Sequence, residues 1–183
     1  MAIKTFTSGE VLTASDTNTY LANSGLVYVK SQAVIGSPTT ITVTNAFSAD
    51  YDDYRIIYSG GTQNINGSSW LQLGPTSVSG YNTNYNMVLI YAGGSATVAS
   101  NINSTWFSWV GGGTGNQQSH LSCDLFGPFK TAYTKMRNGS YQDGTLFGTC
   151  HGEHTLATSY SSLTIGGMTF TGGTVYVYGY RKP

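Results

Sequence analysis

From Leu26 onward the apolar residues of this chain recur with a period near two, and the runs are cut at short intervals by glycine pairs, Asn-Gly or Asp-Gly. A period of two belongs to strands, whose side chains alternate between faces; an amphipathic helix needs apolar residues at i, i+3, i+4 and i+7. No window carries that helical spacing over three turns without a Gly or Asn-Gly break. The runs predict strands over residues 26–35, 39–44, 54–59, 69–73, 87–91, 104–110, 120–126, 133–140, 145–150, 162–165, 168–170 and 174–180. Gly60-Gly61, Gly93-Gly94, Gly111-Gly112-Gly113, Gly166-Gly167 and Gly172-Gly173 read as the breaks between them, as do Asn66-Gly67, Asn138-Gly139 and Asp143-Gly144. Gln142-Asp143-Gly144-Thr145 is the strongest hairpin signal. Short strands without intervening helices predict an all-β fold, an antiparallel β-sandwich or jelly roll of about eight to eleven strands.

Residues 1–25 stand apart from the sandwich domain expected over 26–183. Val11 to Gly25 reads as one short helix, with Thr13 or Ser15 as N-cap, Asp16 favourable in the first turn and Gly25 as the left-handed stop. So short a helix does not hold itself together in water, so it must dock onto its own domain, a sister subunit or a larger assembly. Val11, Leu12, Tyr20 and Leu21 are the residues expected to anchor it.

Composition narrows the partners. At 183 residues the chain can bury a core without crosslinks, and its 13% aromatic content with abundant Val, Ile and Thr argues against disorder. Only 9% of the residues are charged, and they sum to zero. About 25% is usual, and such a surface has no electrostatic footprint for nucleic acid or an anionic membrane. No apolar run approaches the roughly 20 residues that span a bilayer. The start, Met1 to Phe6, is not followed by the apolar stretch of a secretion signal, which predicts a product made and folded in a cytoplasm. In that compartment Cys123 and Cys150 read as buried thiols.

The sequence carries little catalytic chemistry. There is no G-x-S-x-G elbow, no phosphate-cradling loop with its Lys and no dinucleotide fingerprint, so no cofactor is expected. Asp50, Asp52 and Asp53 crowd together, but acids placed just before a strand read as a solvated turn. His120, Cys123, Cys150, His151, Glu153 and His154 resemble zinc ligands on paper. On a strand, however, His120 and Cys123 point to opposite faces, so no metal site is expected and Gly152 reads as a polar loop. His151 and Glu153 share a face if their strand continues. In Val175-Tyr176-Val177-Tyr178-Gly179-Tyr180 the valines face the core, and Tyr176, Tyr178 and Tyr180 form a row that packs in the domain, meets a neighbouring subunit or binds a ligand. Trp70 and Trp106 are candidate platforms for a sugar, with core packing as the competing role.

The segment Phe6-Thr7-Ser8-Gly9-Glu10-Val11-Leu12-Thr13-Ala14-Ser15-Asp16-Thr17-Asn18-Thr19-Tyr20-Leu21 resembles the start of many bacteriophage appendage proteins. The closing Gly172-Gly173-Thr174-Val175-Tyr176-Val177-Tyr178-Gly179-Tyr180 is similar to the end of phage fibre-tip and decoration β domains. The resemblance implies a non-enzymatic virion component, a homotrimeric tail-fibre or appendage protein attached through its amino terminus. Its partners would be other phage virion proteins and a host-surface glycan. A capsid decoration protein and a free carbohydrate-binding module are the alternatives, with a metal-dependent hydrolase behind them.

Overall fold

The structure, a computed structural model, describes residues 7–11, 13, 14, 25–64, 68–75, 77–89, 96–110, 119–142 and 146–182. These residues form twelve strands: β1 (Leu26–Ala33), β2 (Thr40–Val43), β3 (Tyr51–Gln63), β4 (Ser68–Leu73), β5 (Tyr81–Leu89), β6 (Ala96–Ser104), β7 (Phe107–Val110), β8 (Ser119–Phe126), β9 (Thr134–Gln142), β10 (Leu146–His154), β11 (Leu163–Gly166) and β12 (Phe170–Arg181). Eight pair in the order β1-β12-β3-β8-β9-β10-β5-β6, and four in the order β2-β11-β4-β7. All pairs are antiparallel, and the chain is an all-β sandwich, as the period of two predicts.

Alternation decides what lies between the sheets. β3 sends in Tyr54, Ile56 and Tyr58, β8 sends Leu121, Cys123 and Leu125, and β12 sends Val175 and Val177. Leu71 and Leu73 of β4, Leu163 and Ile165 of β11 and Ile41 and Val43 of β2 complete the buried core from the smaller sheet. Withdrawing one such aliphatic or aromatic side chain from water contributes roughly 1.5–3 kcal/mol. Three tyrosines in this core need partners for their hydroxyls. Tyr54 donates to the Ser48 carbonyl (2.9 Å) and Tyr58 to the Gly172 carbonyl (3.0 Å), while the Tyr81 oxygen accepts from the Leu73 amide (2.8 Å). Burial raises the pKa of all three hydroxyls, Tyr58 to about 12. Tyr81 also stacks on buried His154 (4.0 Å) and receives the edge of Phe107 (4.8 Å), which ties β7 of the small sheet to the large one.

Several sequence expectations need correction. Gly60-Gly61 and Gly172-Gly173 are not turns; they lie inside β3 and β12, where Gly61 stands opposite Gly172. A Cβ on Gly173 would come within 2.7 Å of the Gly61 nitrogen, and its φ of +82° is left-handed. The glycines thus permit a close backbone crossing within two long strands, and the run at 174–180 continues back through them to Phe170 as one strand, β12, while Met168 and Thr169 precede it. Gly152, expected in a loop, is inside β10 beneath the Phe107 ring, whose Cδ1 would be 2.6 Å from an added Cβ. β6 was not foreseen, because Ala96 to Ser104 has only scattered apolar residues and lies at a sheet edge. The run at 104–110 divides: β6 ends at Ser104 and β7 begins at Phe107, leaving Trp106 in the connection. β9 and β10 pair antiparallel with Gln142 opposite Leu146, and Asp143-Gly144, where the hairpin turn is expected, lies outside the described residues.

At the amino terminus, Thr7 to Glu10 closes a β-turn, with the Glu10 amide donating to the Thr7 carbonyl (3.1 Å) and Gly9 at φ +88°. The Glu10 carboxylate accepts in return from the Thr7 amide (3.1 Å). Val11 is 79% exposed. Leu12, Tyr20 and Leu21, and with them the body of the expected helix, lie outside the described residues.

Candidate binding site

The outer face of the eight-stranded sheet carries most of the described polar chemistry, in one row across the strands. Tyr28 stands opposite Tyr178, Tyr178 opposite Arg55, Arg55 opposite Asp124, Asp124 opposite Arg137, and Arg137 opposite His151. Register alone brings them together, since residues in line across neighbouring strands share a face.

Asp124 is the centre of the row. It is 3% exposed although its face is turned to solvent, because the side chains around it close over it. Its Oδ1 accepts from the Arg55 Nε (2.9 Å) and the Tyr180 hydroxyl (2.6 Å). Its Oδ2 accepts from the Arg55 Nη2 (3.2 Å) and the Arg137 Nη2 (2.9 Å). Burial pushes this carboxyl upward, but the donors from Tyr180, Arg137 and Arg55 together outweigh that and hold it below its usual value. The same contacts act in reverse on their partners: burial and then the hydrogen bond to Asp124 raise the Tyr180 hydroxyl, and the hydrogen bond to Asp124 raises Arg55.

Beside this cluster lies a depression of about 280 Å³ over Gly139, walled by Arg55, Arg137, Ser122, Thr149 and His151. Arg137 and His151 are exposed, and the Arg137 guanidinium lies 5.9 Å from the Phe126 ring centre. Towards β1 the surface becomes aromatic, with Tyr176 stacked on Tyr178 (6.4 Å) and Tyr28 edge-on to Tyr178 (6.1 Å). The row of Tyr176, Tyr178 and Tyr180 therefore lies outward, as the alternation predicts, with the Tyr180 hydroxyl committed to Asp124.

Trp70 and Trp106 are elsewhere, on the outer face of the four-stranded sheet. Trp70 lies flat over Gly166 of the neighbouring strand, where a Cβ would meet its ring at 2.3 Å. Trp106, 37% exposed, stacks on it at 5.8 Å. The two groups of aromatic candidates thus occupy opposite surfaces and form two patches.

The other sequence candidates disperse. Asp52 binds the Lys130 and Lys182 ammonium groups (2.9 and 3.0 Å), which hold its carboxyl below the ordinary range, while Asp53 accepts from the Gly127 amide and Asp50 from the Ser48 hydroxyl. Their carboxylates serve separate partners. His120 is exposed and Cys123 buried on the opposite face, and no group of three or more His, Cys, Asp or Glu able to hold a metal occurs among the described residues. Cys123 and Cys150 both stand opposite Asn138, one strand away on either side. Two strand spacings of about 4.8 Å separate them beyond disulfide reach. Burial raises the Cys123 thiol pKa and keeps it protonated. His151 and Glu153 share the outer face of β10, as expected if the strand continues.

Sequence reasoning passed over Arg55, Asp124 and Arg137. The one available signal was scarcity: in a chain with eight basic residues, two of its three arginines stand beside one aspartate.

No family model matches the chain. No curated protein matches it. Among solved structures, a chain from the structure of the infectious bursal disease virus Gx strain aligns with 85% of this chain at 13% identity and a TM-score of 0.14. That is too slight a likeness to carry an argument, and the aligned region covers 42% of the viral chain.

Proposed function

We propose that the protein is a non-enzymatic structural component of a bacteriophage virion, a trimeric tail-fibre or appendage subunit held through its amino-terminal segment with the sandwich turned outward. The observation that carries this reading is the state of the two edges of the large sheet. β1 exposes Leu26 (39%) and Tyr28 (57%), and β6 exposes Val98 (73%) and Ile102 (81%). β6 has no charged residue, and the one charge of β1, Lys30, turns away to donate to the Thr44 carbonyl (2.7 Å). Edge strands of soluble monomers are normally blunted by charges, prolines or coverings, because open backbone groups beside apolar side chains invite pairing. Edges left in this state suit a subunit whose neighbours cover them.

The resemblance of the Gly9-Glu10-Val11-Leu12-Thr13-Ala14 segment to phage appendage proteins gives the assembly its setting. The exposure of Val11 fits a segment that docks elsewhere. Two measurements test the reading. Light scattering on the purified chain is expected to give three times the monomer mass, and gold-labelled antibody is expected to decorate the tail end of phage particles. A monomer absent from particles would overturn the proposal, and label spread over the head would replace the appendage with a decoration protein.

A further inference from the structure

We propose that the depression between Arg55, Arg137 and His151 on the outer face of the eight-stranded sheet is a binding site for a carboxylate-bearing sugar. Two guanidinium groups share a single carboxylate there, leaving a net positive charge on a protein whose total is zero. Asp124 takes the Nε and Nη2 of Arg55 but only the Nη2 of Arg137, so Arg137 keeps a planar set of donors for a second acceptor. A bidentate pair with a planar carboxylate is the interaction for which that fork is shaped. The Asp124 anchor also holds the arginine in place, which lowers the entropy lost on binding.

The rest of the depression fits a polyol. Ser122 and Thr149 supply hydroxyls, Gly139 leaves the floor without a side chain, and about 280 Å³ is room for a small saccharide. The other carboxylate of this region, Glu153, stands opposite Lys135 one row away. Phosphate fits less well: phosphate sites draw on backbone amides at helix starts or nests, and here Gly139 of the floor is a strand residue paired with Thr149 of β10. The inference rests on this geometry and not on the virion reading, so each can fail alone.

Calorimetric titration of the full chain tests it with methyl glucuronide, methyl glucoside and inorganic phosphate. The glucuronide is expected to bind, with the glucoside and phosphate each weaker by roughly tenfold or more, the worth of one arginine–carboxylate fork. Raising the salt concentration should weaken the glucuronide. Arg137→Gln should lower its affinity by about tenfold, with Arg137→Lys restoring part of it. Ile35→Ala, an exposed residue beyond the end of β1, should leave it unchanged. Equal binding of the neutral sugar, phosphate as tight as the glucuronide, an unaffected Arg137→Gln, or no binding of the glucuronide at tens of millimolar would each overturn the site. The wild-type contrast between acid and neutral sugar decides the question even if a variant fails to fold.

Discussion

Two buried titratable side chains set how this sandwich responds to acid. His154 is fully buried, stacked on Tyr81 and within 2.7 Å of the Tyr160 hydroxyl. Burial lowers its pKa below the ordinary 6.5. The unfolded chain then binds a proton more readily than the folded one, so stability is complete above 6.5 and falls as the pH drops from there toward the lowered value. Asp124 acts in the same direction at lower pH, because its folded carboxyl is held below 3.8: its contribution is present above that value and is lost as the pH falls through it. Urea unfolding as a function of pH is therefore expected to show a plateau above neutrality and two descents, one beginning near 6.5 and one near 3.8. His154→Gln should remove the first descent and leave the second. These residues also show where sequence reading stops: His154 falls in a group of histidines and cysteines that resembles zinc ligation only on paper, its ring is a core side chain, and nothing local distinguishes it from exposed His151.

At the scale of the elements, the same residue type serves in two unlike ways. Gly172 and Gly173 are adjacent in β12 and both left-handed, at φ +67° and +82°. A Cβ on Gly172 meets open space, whereas one on Gly173 meets the Gly61 nitrogen at 2.7 Å and the Ser59 oxygen at 2.8 Å. Gly172→Ala should cost only the left-handed penalty, about 1–2 kcal/mol. Gly173→Ala carries the same penalty plus a backbone collision that neither strand can relieve by moving a side chain, and should cost clearly more. Denaturant midpoints of the two variants at unchanged slope would measure the difference. Glycine pairs in a β-rich sequence read most simply as turns, which is why β12 was expected as two strands. Their true role depends on Gly61, about a hundred residues away in sequence, and no local pattern carries that contact. The aromatic rings over Gly166 and Gly152 were illegible for the same reason, since Trp70 and Phe107 arrive from other strands.

For the whole molecule, the open edges of the large sheet make assembly sensitive to a few charges. Tyr28→Lys on β1 and Ile102→Lys on β6 replace exposed side chains, at 57% and 81%, so each should leave the unfolding midpoint within about 0.5 kcal/mol of wild type. If neighbours cover these edges, at least one variant shifts the light-scattering mass toward the monomer; unchanged mass in both would remove the edges from the interface. By itself the sequence determined the fold class, the outward tyrosine row and the opposed faces of His120 and Cys123. All of these follow from an alternation that a few neighbouring residues impose. Only the tertiary structure decided which strands share a sheet, which tyrosines are core, and that Arg55, Asp124 and Arg137 converge. Strand order and register set those, and they arise from long-range pairing that packs two sheets over one core. A lone aspartate in β8 becomes the centre of a site only when β3 and β9 lie on either side of it.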